Sequence, residues 1–250
     1  MIEANFASDK GITRRNNEDA CLVMPQDRLY VVADGVGGNN SGEVASRAAV
    51  TCVADYVRRH DLSKIEDETE LAASFEDCIS EVNASILSIA REFPDSRGMA
   101  TTLVICYIND NKAYFVNIGD SRAYLKRGSS IFQVTEDHSY VNTLLKLGVI
   151  TPDEAKVHER GNVITRAVGA EENVRPDFYQ IDLDEGDVIL LCTDGLYNEV
   201  TEDEMCELID TRQDMKTLAL DLVEKANSAG GKDNITVVCL KNRREAADGQ

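Results

Sequence analysis

Aspartates beside glycine recur where apolar, strand-like runs end. The four positions are Asp34-Gly35, Gly119-Asp120, Asp194-Gly195 and Asp233, the last just after Gly230-Gly231. A strand end holds a carboxylate at a fixed point, and a neighbouring glycine lets backbone or a hydrated ion come close. If the four converge, they form a like-charge cluster that cations must neutralise. Because no His or Cys stands beside them, the pattern favours Mg²⁺ or Mn²⁺ over zinc.

Four ordinary turns are the alternative interpretation, since a single Asp-Gly pair after a strand is more often a turn than a ligand. The N-terminal run that contains Arg14, Glu18 and Asp19 favours the metal site. An arginine beside bound cations holds a dianionic phosphate through two parallel hydrogen bonds, while nearby carboxylates order water. Together these residues indicate metal-assisted chemistry on a phosphate group.

The spacing of apolar residues predicts the elements that position these side chains. Strands are predicted at Cys21–Met24, Leu29–Val32, Thr102–Ile108, Ala113–Ile118, Ser121–Lys126, Ser130–Val134, Val188–Cys192 and Ile235–Leu240. Helices are predicted at about 42–59, 66–91, 201–209 and 215–226, the third from a capping box of Thr201 with Glu204. Residues 136–162 carry only short helical pieces. Strands, two long helices, a strand meander and then mixed elements indicate an α+β fold rather than a βαβ winding.

The composition indicates a folded, acidic, cytoplasmic chain. The 250 residues include 26 Lys+Arg against 45 Asp+Glu, a formal net charge of −19, and 43% are hydrophobic. Such a charge argues against nucleic acid or an anionic membrane as a partner. No apolar run approaches the roughly 20 residues that span a bilayer, and the N-terminus lacks the pattern of a secretory signal. The seven scattered cysteines read as reduced thiols, without a disulfide framework or a zinc site.

Taken in chain order, these motifs resemble the metal-dependent protein phosphatases of the type 2C class, in their bacterial branch. No single motif is decisive, but the ordered set is specific and covers nearly the whole chain. The motifs are RxxxED at 14–19, VADGVGG at 32–38, GEVAS at 42–46, GMATT at 98–102, NIGDSR at 117–122, DHS at 137–139, ITRAVG at 164–169, CTDGL at 192–196 and KDNIT at 232–236.

The resemblance implies two packed antiparallel β-sheets flanked by helices, an α-β-β-α sandwich. It implies one catalytic domain over residues 1–240, with a mobile flap at about 137–165 that influences substrate choice. We call residues 137–165 the flap segment. Residues 241–250 are polar and lack a periodic apolar face, so we expect them to form a disordered tail.

The resemblance also assigns metal ligands. Asp34 would bridge two Mn²⁺ or Mg²⁺ ions, with the Gly35 carbonyl on the first and Asp194 and Asp233 on the second. Asp120, with Asp194, would hold a third and weaker ion of the kind found in bacterial members.

Three further residues receive roles by the same resemblance. Glu18 and Asp19 would hydrogen-bond the waters of the metals, and Arg14 would bind the substrate phosphate. Eukaryotic members commonly carry a histidine acid where Val36 stands, which favours a metal-bound water as the proton source. His138 is the nearest candidate side chain, and a structural hydrogen-bonding role is the preferred interpretation for it.

The activity implied is hydrolysis of phosphoserine and phosphothreonine in proteins, by in-line attack of a water or hydroxide held between two metals, without a phospho-enzyme. The expected partners are phosphorylated proteins, among them a Ser/Thr protein kinase that the phosphatase opposes. A monomer is expected.

Other functions remain open from the sequence. The chain could be a catalytically silent module that binds phosphorylated partners, although intact aspartates and Arg14 argue against this. It could also be a partner-switching regulator phosphatase, although no sensor domain is visible, and phosphotyrosine stays open as a substrate. Cys52-x₅-Arg58 and Cys206-x₅-Arg212 match the spacing of a cysteine phosphatase loop, but they lack its glycines.

Overall fold

Two antiparallel β-sheets lie face to face in a computed structural model that describes residues 1–38 and 41–243. The strands are β1 Ile2–Asp9, β2 Asp19–Met24, β3 Leu29–Val36, β4 Ala100–Thr101, β5 Leu103–Asn109, β6 Lys112–Ile118, β7 Arg122–Arg127, β8 Ser130–Gln133, β9 Asp177–Asp182, β10 Val188–Cys192 and β11 Ile235–Asn242. The helices are α1 Ser41–Arg59, α2 Glu68–Glu92, α3 Tyr140–Lys146, α4 Pro152–Lys156, α5 Asp194–Tyr197, α6 Glu202–Thr211 and α7 Met215–Ala229.

The strand order makes the architecture a four-layer sandwich. One sheet runs β1-β11-β10-β7-β8 and the other β2-β3-β5-β6-β9, with the short β4 beside β3. Helices α1 and α2 pack on the outer face of the second sheet, and α6 and α7 cover the first. The predicted α+β fold and α-β-β-α layering are thus confirmed.

Burial on both faces explains the unbroken apolar runs of the central strands. In β3, Tyr30 and Val32 face the opposite sheet, while Val31 and Ala33 face α1 and α2. Alternate side chains of a strand point to opposite faces, so a strand covered on both sides carries apolar residues throughout. The strand therefore runs through the core and emerges at Asp34.

The helix termini follow the polar signals in the sequence. The predicted capping box is present at α6, where the Thr201 side chain accepts from the Glu204 N–H and the Glu204 carboxylate accepts from the Thr201 N–H. At α2, the Asp67 carboxylate accepts from the first-turn N–H groups of Thr69 and Glu70.

Three strands, one short helix and one chain terminus differ from the sequence predictions. Strands β1 and β9 were not predicted, and both lie at sheet edges, where the apolar pattern is weak. The two-residue strand β4 and the four-residue helix α5 were not predicted either. The expected boundary at residue 240 is too early, because β11 continues through Asn242 and pairs with β1. The Arg243 N–H then donates to the Met1 carbonyl at 2.8 Å. The rest of the expected tail, residues 244–250, lies outside the described residues.

The flap segment contains α3 and α4, which agrees with the short helical pieces predicted there. Its two ends are paired by the bridge between Ser139 and Ile164. Among the residues described here, no helix is long and apolar enough to cross a membrane.

Candidate metal centre

Asp34 is fixed at the end of β3 by hydrogen bonds of its own main chain. Its N–H donates to the Thr102 hydroxyl at 2.9 Å, and its carbonyl accepts from the Thr102 N–H at 2.8 Å. A Cβ at Gly35 would overlap the Gly42 carbonyl at the start of α1. Only glycine therefore allows β3 and α1 to approach so closely. Asp34 is partly buried at this strand end.

Asp19 lies directly opposite Asp34 in the β2–β3 ladder. Its side chain is 7% exposed, and one oxygen, Oδ2, accepts from the Thr193 hydroxyl at 2.9 Å. The other oxygen, Oδ1, is buried without a hydrogen-bond partner. Because Thr193 immediately precedes α5, this bond ties the second sheet to the end of β10 in the first.

Asp194 is the first residue of α5 and is separated from the end of β10 only by Thr193. Its Oδ2 accepts from the Asn198 amide at 3.2 Å, whereas its Oδ1 is buried and has no partner. A Cβ at Gly195 would overlap the Asn234 carbonyl, so the turn after β10 lies directly against the start of β11. The turns that carry Asp194 and Asp233 are thereby brought side by side.

The Asn234 amide holds the N-terminal loop against the same place. Its Nδ2 donates to the carbonyls of Lys10 and Asn16, each at 2.9 Å. Its Oδ1 accepts from the Glu18 N–H at 2.7 Å. The residue is 6% exposed, so these buried bonds fix the loop that carries Arg14, Glu18 and Asp19.

Asp120 precedes β7 and is 8% exposed. Gly119 has φ +102°, and a Cβ there would lie 2.6 Å from the Thr102 methyl carbon, so the turn requires glycine. The neighbouring Ser121 hydroxyl shares a 2.7 Å hydrogen bond with the Thr102 hydroxyl. The Tyr197 hydroxyl donates to the Asp120 carbonyl at 2.9 Å and so links α5 to this turn.

The aspartates brought together here perturb one another electrostatically. Burial, together with neighbouring carboxylates, raises the pKa of Asp19 and of Asp120 to about 7 and that of Asp194 to about 6. The pKa of Asp34 rises well above its usual value, chiefly through burial and then through Asp19, Asp194, Asp120 and Asp233. These aspartates therefore lie near one another and form a like-charge cluster.

This donor set fits hydrated Mg²⁺ or Mn²⁺. Two buried carboxylate oxygens, on Asp19 and Asp194, lack partners, as expected where a cation or its water binds. Within residues 1–38 and 41–243, no three His, Cys, Asp or Glu side chains are grouped so that they could hold an ion by themselves. That arrangement agrees with Mg²⁺ chemistry, in which one or two carboxylates bind an ion that keeps several waters.

Arg14 lies at the mouth of the cluster and contacts a carboxylate. Its Nη2 is 2.5 Å from Asp233 Oδ2, with the Arg14 side chain 53% exposed and that of Asp233 29% exposed. Asp233 Oδ1 accepts from the Asn234 N–H at 2.8 Å. The arginine predicted to bind phosphate is thus beside the aspartates but paired with one of them.

His138 has a structural role. Its Nδ1 accepts from the Gly119 N–H at 3.0 Å, which leaves Nε2 to donate to Asp177 Oδ2 at 3.1 Å. The Arg166 guanidinium also contacts this Asp177 carboxylate, at 2.6 Å. Burial lowers the pKa of His138. With both ring nitrogens occupied, His138 has no proton to offer a reacting group, and the preferred interpretation holds.

Val36 is 46% exposed at the end of β3, close to Asp34 in the chain, and has no proton to donate. The two cysteine–arginine spacings are accidental. Cys52 and Arg58 lie within α1, while Cys206 lies in α6 and Arg212 caps it, so neither pair forms a phosphate-binding loop.

A groove of about 930 Å³ runs from the cluster between the flap segment and α6. Asp120 and Asp194 line one part of it, Val141 and Leu145 of the flap segment another, and Met205 of α6 a third. The groove is open to solvent and continuous with the aspartate cluster, so a polypeptide bound there would have one residue at the carboxylates.

Sequence reasoning missed the residues that hold the ligands in place. Asn234, Thr102 and Thr193 received no role, although each stands next to or opposite a predicted ligand. Their polar side chains at the ends of apolar runs were the available signal, since a buried amide or hydroxyl needs partners. The identity of those partners depended on the fold.

Comparison with known proteins gives a consistent result. A family model described as protein phosphatase 2C matches residues 12–227. A serine/threonine phosphatase stp of Listeria innocua is 37% identical over 243 residues, which is 96% of each chain. The protein phosphatase PhpP of Streptococcus pneumoniae is 37% identical over 250 residues, covering 99% of this chain and 100% of the relative.

Solved structures agree in fold. The serine/threonine phosphatase Stp1 of Staphylococcus aureus has a TM-score of 0.89 at 31% identity, covering 98% of this chain and 96% of its own. The catalytic domain of the serine/threonine protein phosphatase PstP, solved in complex with 2 manganese ions, has a TM-score of 0.86 at 33% identity. That match covers 97% of this chain and 99% of the PstP chain.

Proposed function

The chain belongs to the protein phosphatase 2C family, and we propose that its aspartate cluster is the site where phosphorylated proteins are hydrolysed. It is a protein-serine/threonine phosphatase that depends on Mn²⁺ or Mg²⁺. The observation that carries the proposal is the set of aspartates, far apart in sequence, that raise one another's pKa at one end of the sandwich. In our proposal Asp34 and the Gly35 carbonyl would hold the first ion. Asp34, Asp194 and Asp233 would hold the second, in part through bound waters, because no three of the described carboxylates are grouped to bind one ion directly.

The chemistry that the ions supply when bound is neutralisation of this cluster, a lowered pKa for bound water and stabilisation of charge on the phosphoryl group. The carboxylates of Glu18 and Asp19 accept hydrogen bonds and so orient water in the site. Asp19 is suited to this because its Oδ2 is held by Thr193 and its Oδ1 is free of protein partners. Asp120, together with Asp194, holds a third and weaker ion.

The substrate phosphate is bound by Arg14 in this proposal. Its guanidinium now contacts Asp233, and it exchanges that carboxylate for the phosphate when substrate binds. The exchange is inexpensive because the pair is half exposed, and exposed ion pairs contribute only about 0–1 kcal/mol. An arginine fork then holds two phosphate oxygens in a fixed orientation. With Val36 inert and His138 fully hydrogen-bonded, the leaving serine or threonine oxygen takes its proton from water.

Partners and location follow from the same properties. We propose that this phosphatase opposes a Ser/Thr protein kinase, and that the kinase is itself among the phosphorylated proteins that it binds. The charge of −19 argues against nucleic acid and anionic membranes as partners. We propose that the protein acts as a monomer. The seven free cysteines favour a reducing compartment such as the cytoplasm. We also propose that residues 137–165 act as a flap over the groove.

The test is release of inorganic phosphate from a phosphothreonine peptide, with Mn²⁺, with Mg²⁺ and with EDTA. Asp34→Asn removes the charge of the shared ligand at nearly constant shape, and Asp203→Asn on the exposed side of α6 is the matched control. We expect turnover to require metal, to fall at least 10³-fold in the Asp34 variant and to persist in the control.

Folded wild-type protein that binds the peptide but releases no phosphate with either metal would instead support the silent binding module. Full turnover by Asp34→Asn would show that the ligand assignment is wrong, even if the protein is an active phosphatase.

A further inference from the structure

Arg122, the first residue of β7, forms an ion pair with unusually complete geometry. Its Nε and Nη2 donate to Asp137 Oδ1 and Oδ2 at 2.9 and 2.6 Å, a two-pronged contact. Its Nη1 donates to the Tyr124 hydroxyl at 2.9 Å. The guanidinium carbon lies 3.5 Å from the centroid of the Tyr197 ring. The side chain is 22% exposed, and these contacts together fix its orientation.

These contacts join three parts of the molecule that meet at the proposed third ion. Arg122 follows Asp120 by two residues, and Asp137 is the first residue of the flap segment. Tyr197 ends α5, which begins at Asp194, and its hydroxyl bonds the Asp120 carbonyl. The Arg122 side chain therefore contacts the flap segment and also α5, the helix that carries Asp194. Arg122 is also close in the chain to Asp120, the other proposed ligand of the third ion.

Asp137 also balances the charge of Arg122. A cation beside Asp120 and Asp194 would oppose binding of a divalent ion, but the Asp137 carboxylate 2.6 Å away neutralises it. Gln133 holds the same carboxylate, because its amide donates to Asp137 Oδ1 at 2.7 Å. The pair thus leaves the site with the negative charge that a metal requires.

We propose that Arg122 is a positioning residue that couples docking of the flap segment to the geometry of the Asp120–Asp194 pair. The inference rests on the proposed function, since it assumes that this pair holds the third ion. Arg122 contacts neither substrate nor metal in this role. It acts through Asp137, which anchors the flap, and through Tyr197, which holds α5 against the turn of Asp120.

The test compares Arg122→Lys and Asp137→Asn with a matched control on the same strand. Arg127, at the other end of β7, makes the same two-pronged contact with Asp187, at 3.0 and 2.6 Å, so Arg127→Lys removes equivalent bonds far from the aspartates. Mn²⁺ binding is measured by calorimetry. Amide hydrogen exchange of peptides from the flap segment is measured with Mn²⁺ saturating.

We expect Arg122→Lys and Asp137→Asn each to weaken the weakest class of Mn²⁺ sites about tenfold and to leave the tighter classes unchanged. Lysine cannot form the fork, and the asparagine leaves the Arg122 charge unbalanced. Flap amides bonded between the two ends of the segment, such as Tyr140 N–H to the Val163 carbonyl, should exchange at least tenfold faster. Arg127→Lys should change neither quantity.

If folded Arg122→Lys shows wild-type Mn²⁺ affinity and wild-type exchange of the flap amides, the inference is overturned. It is also overturned if Arg127→Lys weakens Mn²⁺ binding and speeds flap exchange to the same extent, because that result would indicate a general loss of β7 stability. A wild-type protein with only two classes of Mn²⁺ sites would also overturn it. Turnover of the phosphopeptide by the wild-type protein is measured alongside. If the proposed function is wrong, the wild-type protein shows no metal-dependent turnover at all, which distinguishes that failure from the outcomes above.

Discussion

Without metal, this protein should become less stable as the pH rises, and Asp120 shows how large the contribution of one carboxyl is. Its pKa is about 7 in the folded chain against 3.8 for an ordinary aspartate, chiefly because the carboxyl is buried and then because Asp194 repels its charge. Between pH 4 and 7 the unfolded chain has lost this proton while the folded chain retains it. Folding therefore binds a proton, and the free energy of unfolding falls until about pH 7. The difference between the folded and unfolded pKa of Asp120 corresponds to about 4 kcal/mol in the free energy of unfolding.

Bound metal should reverse this dependence. A carboxylate must be ionised to bind a cation, so the stabilisation that Mn²⁺ provides grows as the pH rises. An ion at 100 times its dissociation constant adds about 2.7 kcal/mol to the free energy of unfolding. We thus expect EDTA to destabilise the protein more at pH 8 than at pH 5.

Urea unfolding at pH 5, 6, 7 and 8 in EDTA, for wild type and Asp120→Asn, isolates the effect. His138 contributes with the opposite sign, because its lowered pKa makes stability rise with pH, but it is common to both proteins and cancels in their difference. The asparagine cannot ionise. Between pH 5 and pH 8, the free energy of unfolding of the variant should therefore rise by about 3 kcal/mol relative to that of wild type.

A difference between the two proteins that stays constant over this range would refute the reasoning. It would mean that the Asp120 carboxyl ionises freely in the folded chain, so that burial and its neighbours do not destabilise its charge. The same experiment in Mn²⁺ provides an internal check, since wild type should there match or exceed the variant at pH 8.

Three further changes test the support of the site. Arg14→Ala should raise KM for a phosphopeptide about 10- to 100-fold in steady-state assays, because it removes a charged hydrogen bond to phosphate. Its Mn²⁺ affinity, measured by calorimetry, should not be reduced, and an unchanged KM would contradict this role. Gly42→Ala should destabilise by about 1–3 kcal/mol in urea, although alanine is the better helix former, because its Cβ would lie 2.6 Å from the backbone carbonyl oxygen of Gly35, which cannot move aside. A stabilised variant would show that this contact is not tight. Asn234→Ala should lower the free energy of unfolding by about 1–3 kcal/mol and also lower kcat, because it leaves the Glu18 N–H and two loop carbonyls unpaired. Lowered stability with a wild-type kcat would show that Asn234 supports the fold but not the site.

The central strands could be predicted because their local sequence reports burial directly. Val188–Cys192 is apolar on every residue, and β10 has the same bounds, since both faces of a central strand are covered. Edge strands give no such signal. In β9, Asp177–Asp182, most side chains are partly exposed, so its place beside β6 depends on pairing with a distant segment.

The proposed ligands could be predicted for a similar reason. Aspartates followed or preceded by glycine at strand ends are a local pattern, and the need to neutralise several carboxylates together indicates a metal from residue types alone. The order of motifs then identified the family.

The contacts that hold those ligands were decided only by the tertiary structure. Asn234 bonds Glu18 from 216 residues away, and Thr193 bonds Asp19 from 174 residues away. The pairing of Arg14 with Asp233 and of Arg122 with Asp137 likewise depends on which turns meet at one end of the sandwich. Local spacing fixes which face of a strand a side chain lies on, but partners this distant are set by sheet order and register, which no short stretch of sequence contains.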